Sequence, residues 1–191
     1  LVFDALSDYI LRFALLADEM AAVEPRAWRA GELKSIAKNC RQIALHAPQS
    51  FWQALQLSYF VQLVLQIESN GHSVSFGRMD QFLYPWYQKD VASGTLAREQ
   101  AIELLQSCWL KLLEVSKIRS GSHSKSSAGS PLYQNVTIGG QILVDGVAQD
   151  AVNQLSYVIL ESCGRLRSTQ PNLSVRYHAG ISDEFLDACV Q

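Results

Sequence analysis

The chain has 191 residues, of which 48% are hydrophobic and 18% are charged. This length and balance are typical of a globular domain with a sizeable core and exclude a largely disordered chain. The formal net charge of −2 provides no whole-chain attraction to nucleic acid or to an anionic membrane, so we expect neither as a partner.

The first third of the chain is predicted to be helical. Apolar residues recur at helical spacing as far as Val23, and Pro25 separates this helix from a polar one over 26–47. Pro48 precedes a third helix over 51–67, which contains no charge but four glutamines. Because amides are costly in hydrocarbon, we expect that helix to be buried in a soluble protein rather than to span a membrane.

The stretch from Glu68 to Asp90 combines glycine turns, charges and aromatic residues. Arg78 and Asp80 lie there among bulky apolar side chains, which predicts a buried polar network at a helix end. Such a network persists only when each member finds a partner. A purely structural pairing of Arg78 with Asp80 explains the same spacing, and both interpretations stay open.

The rest of the chain alternates helices and strands. Helices are predicted from Asp80 to about Val91 and from a Thr95 cap to Val115. The pattern then predicts a strand over 135–138, a helix over 151–166, a strand over 173–177 and a last helix from Ser182. Turns are predicted at the glycine pairs 139–140 and 145–146. This order predicts a helix-rich α/β class, as part of an α/β barrel or a layered core.

Residues 117–131 form the least regular part, rich in serine and glycine, and no acid occurs from Val115 to Val144. The basic side chains among accessible backbone N–H groups could hold an anion such as a phosphate. The alternative is a basic loop that is simply solvated. The basic residues concerned are Lys117, Arg119, His123 and Lys125.

The cysteines and histidines indicate neither a disulfide, nor a metal site, nor a catalytic pair. The four cysteines lie far apart and lack ligand spacing, so we expect reduced core thiols and a cytoplasmic protein. Because the first residues show no basic n-region, we expect no signal peptide. His46, His72 and His178 fall at helix, turn and strand positions, where a structural role is the more common one.

Several collinear blocks resemble the glycyl radical enzymes of the pyruvate formate-lyase family. They are IESNGHSVSFGRMDQ at 67–81 with Tyr84-Pro85, SAGSPLYQNVTIGGQ at 127–141, DAVN and LSY within 150–157, and QPNLSVR at 170–176. The string RSGSHSK at 119–125 resembles one paralogue group, which carries a formate acetyltransferase name. By this resemblance, residues 1–191 are an internal part of one domain of a longer chain, with a ten-stranded α/β barrel wrapped in helices. The amphipathic pattern at Leu1 and the short last helix agree with that expectation.

The resemblance also implies a radical mechanism. An activating enzyme that uses S-adenosylmethionine and an iron–sulfur cluster places a radical on a glycine, which generates a thiyl radical on a cysteine. None of Cys40, Cys108, Cys163 and Cys189 lies in the family's Gly-Cys-Val/Ile-Glu setting. We therefore expect no catalytic residue, bound cofactor or metal in this chain, and no activity from it alone. The implied partners are the activating enzyme, a small-molecule substrate and further copies in a homo-oligomer.

Analogy with dehydratase and C–N lyase members places Ser127 or Ser130, together with Tyr133, in the wall of the substrate cavity. Arg119, His123 and Lys125 would then face a charged group of the substrate. The preferred reaction is radical elimination, cleaving C–O or C–N in a polyol-type substrate, free or phosphorylated. The alternatives are a formate C-acetyltransferase acting on pyruvate and CoA, and a non-catalytic relic or binding subunit.

Overall fold

The structure is a computed structural model that describes residues 2–69, 74–115, 117, 120–127 and 132–190. The chain divides into two compact units, Leu1–Val64 and Leu65–Gln191. Each unit has a different construction, helical in the first and α/β in the second.

The first unit is built on two paired helices, α1 (Val2–Val23) and α2 (Ala27–Leu45), and on the beginning of α3 (Phe51–Ser69). Small side chains on α1 and α2 are buried, which lets the two backbones approach closely. The Ser7 hydroxyl donates to the Ala44 carbonyl oxygen at 2.6 Å across this pair. The core cluster consists of Ile10, Ala14, Cys40, Ile43, Ala44 and Phe60.

The second unit begins with a short strand and a set of helices. After β1 (Gly77–Arg78) come α4 (Met79–Phe82), α5 (Tyr84–Ala92), α6 (Arg98–Glu114) and α7 (Gly121–Ser127). Pro85 occupies the first turn of α5, where its missing N–H leaves no helical bond unmade. The predicted helix over 80–91 is therefore two helices that meet at Leu83.

The remaining elements complete a three-stranded parallel sheet in the order β1-β2-β5. They are β2 (Asn135–Gly139), the antiparallel hairpin β3 (Gln141–Val144) and β4 (Val147–Asp150), α8 (Gln154–Leu166), β5 (Asn172–Arg176) and α9 (Asp183–Val190). β2 and β5 are parallel neighbours with α8 as the crossover, as the strand–helix–strand order predicts.

The core of the second unit lies beside the central strand β2. Val136 and Ile138 on that strand are fully buried, as is Trp109 on α6. The Trp109 indole N–H donates to the Ser162 hydroxyl at 2.8 Å, which joins α6 to α8 inside this core. Because Tyr and Trp carry one polar group each, such a bond is what permits full burial.

Three predictions about local structure are corrected. Thr95 does not cap α6, since its hydroxyl donates to the Asp90 carbonyl oxygen at 3.1 Å and Ala97 is the N-cap residue. The Gln100 side chain satisfies the Ala97 N–H at 2.9 Å instead. The irregular part includes the helix α7, and the predicted turn at 145–146 joins β3 and β4 in a hairpin that the pattern did not predict.

No helix in the described part of the chain is both long and apolar enough to cross a membrane.

Candidate functional site

The three parallel strands bring two sets of polar residues to opposite edges of the sheet. The carboxyl edge follows Arg78, Gly139 and Arg176, and the amino edge precedes Gly77, Asn135 and Asn172. Of the predicted site residues, Tyr133 lies two residues before β2 and therefore next to the amino edge.

Two of the six predicted site residues, Arg119 and Ser130, lie outside the described residues. The others flank the approach to β2. Ser127 is half-buried at the end of α7, and Tyr133 stands two residues before β2 with 48% of its surface exposed. His123 is half-buried and Lys125 is exposed on α7.

The predicted basic loop is largely helical where it is described. The Ser120 hydroxyl accepts from the His123 N–H at 3.4 Å, and the Ser126 hydroxyl donates to the His123 carbonyl oxygen at 3.1 Å. Lys117 is engaged elsewhere, because its ammonium group donates to the carbonyl oxygen of Gln66 near the end of α3. A cation at the carboxyl end of a helix stabilises it through the helix dipole. Lys117 therefore has a structural function that the sequence pattern did not reveal.

Tyr133 has a left-handed backbone with φ of 53°, a conformation that residues with a Cβ rarely adopt. The next residue, Gln134, is fully buried. Its side-chain amide donates to the Leu112 carbonyl oxygen at 3.1 Å, and its backbone N–H donates to the Gln170 side-chain oxygen at 2.9 Å. Strained backbone held by well-bonded neighbours is a recurrent property of functional sites.

No role for Gln134 or Gln170 was predicted from the sequence, although the strand pattern around Gln134 indicated that its side chain is buried. Gln134 alternates with Val136 and Ile138, so period-two patterning places its amide on the buried face of the approach to β2. A buried amide requires hydrogen-bond partners, and the neighbouring strand is where such partners are expected. The partner Gln170 lies immediately before Pro171 and β5.

The carboxyl edge carries a dense hydrogen-bond network centred on Arg78 and Asp80. The Arg78 guanidinium donates to the carbonyl oxygens of Gly139 at 2.7 Å and Gln141 at 2.9 Å. One Asp80 carboxylate oxygen accepts from the Gly139 N–H at 2.7 Å and from the Ser156 hydroxyl at 2.6 Å. The predicted buried network is thus confirmed, whereas no ion pair joins Arg78 to Asp80 within the described residues.

The network extends to the start of α8. Asn153 caps that helix through its side-chain oxygen, and its amide donates to the Asp80 carbonyl oxygen at 2.9 Å. Burial raises the pKa of the Asp80 carboxyl, while the bonds from Ser156 and Gly139 act in the opposite direction. The second carboxylate oxygen of Asp80 and Nε of Arg78 are buried without a hydrogen-bond partner in the described part. The bonds at this edge therefore tie strand, hairpin and helix together.

His178, also near this edge, is held on both ring nitrogens. Its Nδ1 accepts from the Gly180 N–H and its Nε2 bonds to an Asp150 carboxylate oxygen, both at 3.1 Å. This geometry assigns the ring proton to Nε2. The expected structural role of His178 agrees with these bonds, and His72 lies outside the described residues.

All four cysteines lie in the described part and are free. Burial raises the pKa of Cys108 to about 12, and that of Cys40 and of Cys163 to about 11. These thiols therefore stay protonated at neutral pH, which disfavours a nucleophilic or metal-binding thiolate. Across the described ranges, no three His, Cys, Asp or Glu side chains are grouped as metal ligands.

A family profile described as Pyruvate formate lyase-like matches residues 1–191. The chain belongs to the pyruvate formate lyase-like family, as the sequence blocks predicted.

The curated relatives include dehydratases. The chain is 73% identical over its whole length to the Escherichia coli (strain K12) protein named Probable dehydratase YbiW and covers 24% of it. It is 41% identical, over 92% of its length, to the (2S)-3-sulfopropanediol dehydratase of Klebsiella oxytoca and covers 21% of that protein. The chain thus spans about a quarter or less of the length of these relatives.

Solved structures agree with this assignment. A Roseburia inulinivorans structure concerned with 1,2-propanediol dehydration superposes with a TM-score of 0.91 at 40% identity, covering 97% of this chain and 22% of the other. The glycerol-bound B12-independent glycerol dehydratase of Clostridium butyricum gives 0.89 at 38% identity, covering 97% and 23%. The helix-rich α/β fold of glycyl radical enzymes is therefore confirmed for this chain.

Proposed function

We propose that this chain is a segment of a glycyl radical dehydratase, an enzyme that eliminates water from a small hydroxylated substrate. The observation that supports this most strongly is the 73% identity with a probable dehydratase over the whole chain. The structural similarity to proteins concerned with 1,2-propanediol and glycerol agrees with it. These relatives favour elimination over the alternative of acetyl transfer.

The proposed reaction begins with hydrogen abstraction from a carbon that bears a hydroxyl group. Loss of the neighbouring hydroxyl as water and return of the hydrogen convert a 1,2-diol into an aldehyde and one water, with no net redox change. The radical is supplied by groups outside this chain, after an activating enzyme that uses S-adenosylmethionine has acted. This chain binds and orients the substrate.

Within that enzyme, Tyr133 and Ser127 form part of the substrate cavity wall, with Ser130 and Arg119 as further candidates from the sequence. The support for Tyr133 is its left-handed backbone together with its half-exposed ring. Ser127 carries a hydroxyl and is half-buried at the end of α7. An aromatic wall and a hydroxyl suit a substrate of mixed polarity.

His123 and Lys125 lie on α7 and face a negatively charged substituent of the substrate. Residues 115–144 contain no Asp or Glu, so every charged side chain on α7 and in the segments that flank it is positive. A phosphorylated polyol is the substrate class that this charge favours.

The test uses the complete enzyme that contains this chain, activated anaerobically with its activating enzyme and S-adenosylmethionine. Electron paramagnetic resonance should show a glycyl radical, and propanediol, glycerol or a phosphorylated polyol should yield an aldehyde. Formate release from pyruvate and CoA, without dehydration, would overturn the proposal. Lys125→Ala should raise KM for a phosphorylated polyol while leaving KM for an uncharged diol unchanged.

A further inference from the structure

Tyr133 is held in a backbone conformation that its own side chain does not explain. Its φ of 53° is in the left-handed region, which is unfavourable for a residue with a Cβ. Tyr133 is 48% exposed as a residue, so much of its surface is not packed. A restraint on the neighbouring backbone is therefore needed to hold this conformation.

The residue that follows supplies this restraint. Gln134 is fully buried and is bonded in two directions, by its side chain to Leu112 at the end of α6 and by its N–H to Gln170 before β5. The bond from the backbone N–H to Gln170 restrains the peptide plane between Tyr133 and Gln134, and the side-chain bond to Leu112 anchors Gln134 beside it. Because that plane sets ψ of Tyr133, it also limits where the Tyr133 side chain can point.

Gln170 provides an acceptor just beyond the regular end of the sheet. The ladder between β2 and β5 begins with the pair Asn135 and Asn172. One residue outside that pair, Pro171 carries no N–H, and the Gln170 side-chain oxygen accepts from Gln134 at 2.9 Å. Gln170 is only 3% exposed.

The orientation of the Gln170 amide shows which of its atoms matters. Its oxygen is bonded, while its nitrogen is buried without a partner in the described part of the chain. A buried amide donor left unbonded is costly. Among the described residues, the Gln170 amide therefore acts through its acceptor oxygen.

We propose that Gln170 is a positioning residue, which fixes the Tyr133 ring in the substrate cavity by accepting the N–H of Gln134. This inference rests on the proposed function, because it takes Tyr133 as part of the cavity wall. Gln170 acts through Gln134 and Tyr133 and does not itself touch the substrate.

The experiment is a double-mutant cycle in the complete activated enzyme. Gln170→Met removes the acceptor with little change in volume, and Tyr133→Ala removes the ring. We expect Gln170→Met to lower kcat/KM about tenfold in the wild-type background and less than about twofold in the Tyr133→Ala background, because residues that act as a unit are not additive. Glycyl radical yield, measured by electron paramagnetic resonance, should be equal in all variants.

Two further variants make the result specific. Gln170→Glu keeps an acceptor oxygen and should restore most of the lost kcat/KM. Gln149→Met, at an exposed site on β4, makes the same chemical change away from Tyr133 and should leave kcat/KM unchanged. If Gln170→Met does not give folded protein, Gln170→Asn withdraws the amide by one methylene and enters the same cycle.

Each outcome distinguishes this inference from the proposed function. An equal loss from Gln170→Met in both backgrounds would show a general structural role and overturn the positioning role alone. A kcat/KM within about twofold of wild type for Tyr133→Ala would overturn the cavity assignment, and the positioning role with it. Loss in the wild-type background only, restored by Gln170→Glu, supports both.

Discussion

The two edges of the β1-β2-β5 sheet differ in how their polar residues are used. At the carboxyl edge, Arg78 and Asp80 bind the backbone of Gly139 from both sides and connect it to α8. At the amino edge, Tyr133 is half exposed and backbone-strained, and buried hydrogen bonds from Gln134 to Gln170 and Leu112 lie beside it. The carboxyl edge, where polar residues are densely hydrogen-bonded, therefore maintains the fold. The amino edge, where a strained backbone lies beside the half-exposed Tyr133, is the candidate functional edge.

The largest expected effect tests the carboxyl edge. Asp80→Ala leaves the Gly139 N–H and the Ser156 hydroxyl without an acceptor, so it should lower the free energy of unfolding by about 3–5 kcal/mol. Urea unfolding measures this loss. Glu103→Ala, at an exposed position of α6, is the control and should stay within about 0.5 kcal/mol of wild type. A loss below about 1 kcal/mol for Asp80→Ala would contradict the structural role of this network.

A substitution at Gly140 tests how closely its backbone approaches Arg176 at the same edge. A Cβ on Gly140 would lie 3.0 Å from Cβ of Arg176, and φ there is +83°. Gly146 has a similar φ of +79° with nothing within 4 Å. We expect Gly140→Ala to cost about 2–3 kcal/mol and Gly146→Ala about 1 kcal/mol in free energy of unfolding. Equal losses would mean that only φ matters, and that the contact with Arg176 relaxes freely.

The pH dependence of stability reports on the buried carboxyl. Burial raises the pKa of Asp80 above its ordinary value of 3.8. The extra stability that comes from keeping Asp80 protonated in the folded state is therefore complete below that value and is lost as pH rises through the higher pKa of the folded state. Asn does not titrate, so the stability of Asp80→Asn relative to wild type should improve with rising pH, by no more than about 1.4 kcal/mol per pH unit. Denaturant midpoints of both proteins across this range measure the trend, and a pH-independent difference would contradict it.

The smallest effect concerns the amino edge and has the opposite sign. Tyr133→Gly removes the backbone strain at φ 53° and should leave the protein equally stable or up to about 1 kcal/mol more stable. Arg167→Gly is the matched control, because Arg167 has φ 51° as the C-cap of α8. Neither substitution should destabilise the protein in thermal unfolding, while only Tyr133→Gly should reduce turnover by the complete enzyme. A clear destabilisation by Tyr133→Gly would mean that its ring supports the fold.

Much of this fold follows from sequence patterning, because its helices and strands have strong periodicity. The first three helices and the β2-α8-β5 unit were predicted nearly to their ends. The hairpin was not, since all eight residues of β3 and β4 are exposed and show no inside–outside alternation. Thr95 was wrongly predicted as a cap, because its hydroxyl has a competing acceptor at Asp90 that only the tertiary turn creates.

The candidate site was predicted less completely, for physical reasons. Ser127 and Tyr133 came from a resemblance, and the strain at Tyr133 depends on backbone angles that residue type does not reveal. The bond between Gln134 and Gln170 joins residues that are distant in sequence. Lys117 looked like part of an anion site, yet its actual acceptor is a backbone carbonyl on α3. The local sequence pattern specifies neither the bond between Gln134 and Gln170 nor the bond from Lys117 to α3.

The exposed hairpin has a consequence for the order of folding. Its register is set by two adjacent left-handed residues, Asp145 and Gly146, and every pair in its ladder is local. Such hairpins form in microseconds. The β1-β2-β5 sheet instead pairs Gly77 with Val136 and Asn135 with Asn172, so long loops must close first, at a cost in chain entropy. The hairpin can therefore form before the sheet to which it is attached. The chain that follows β2 would then already be folded when β2 pairs with β1 and β5.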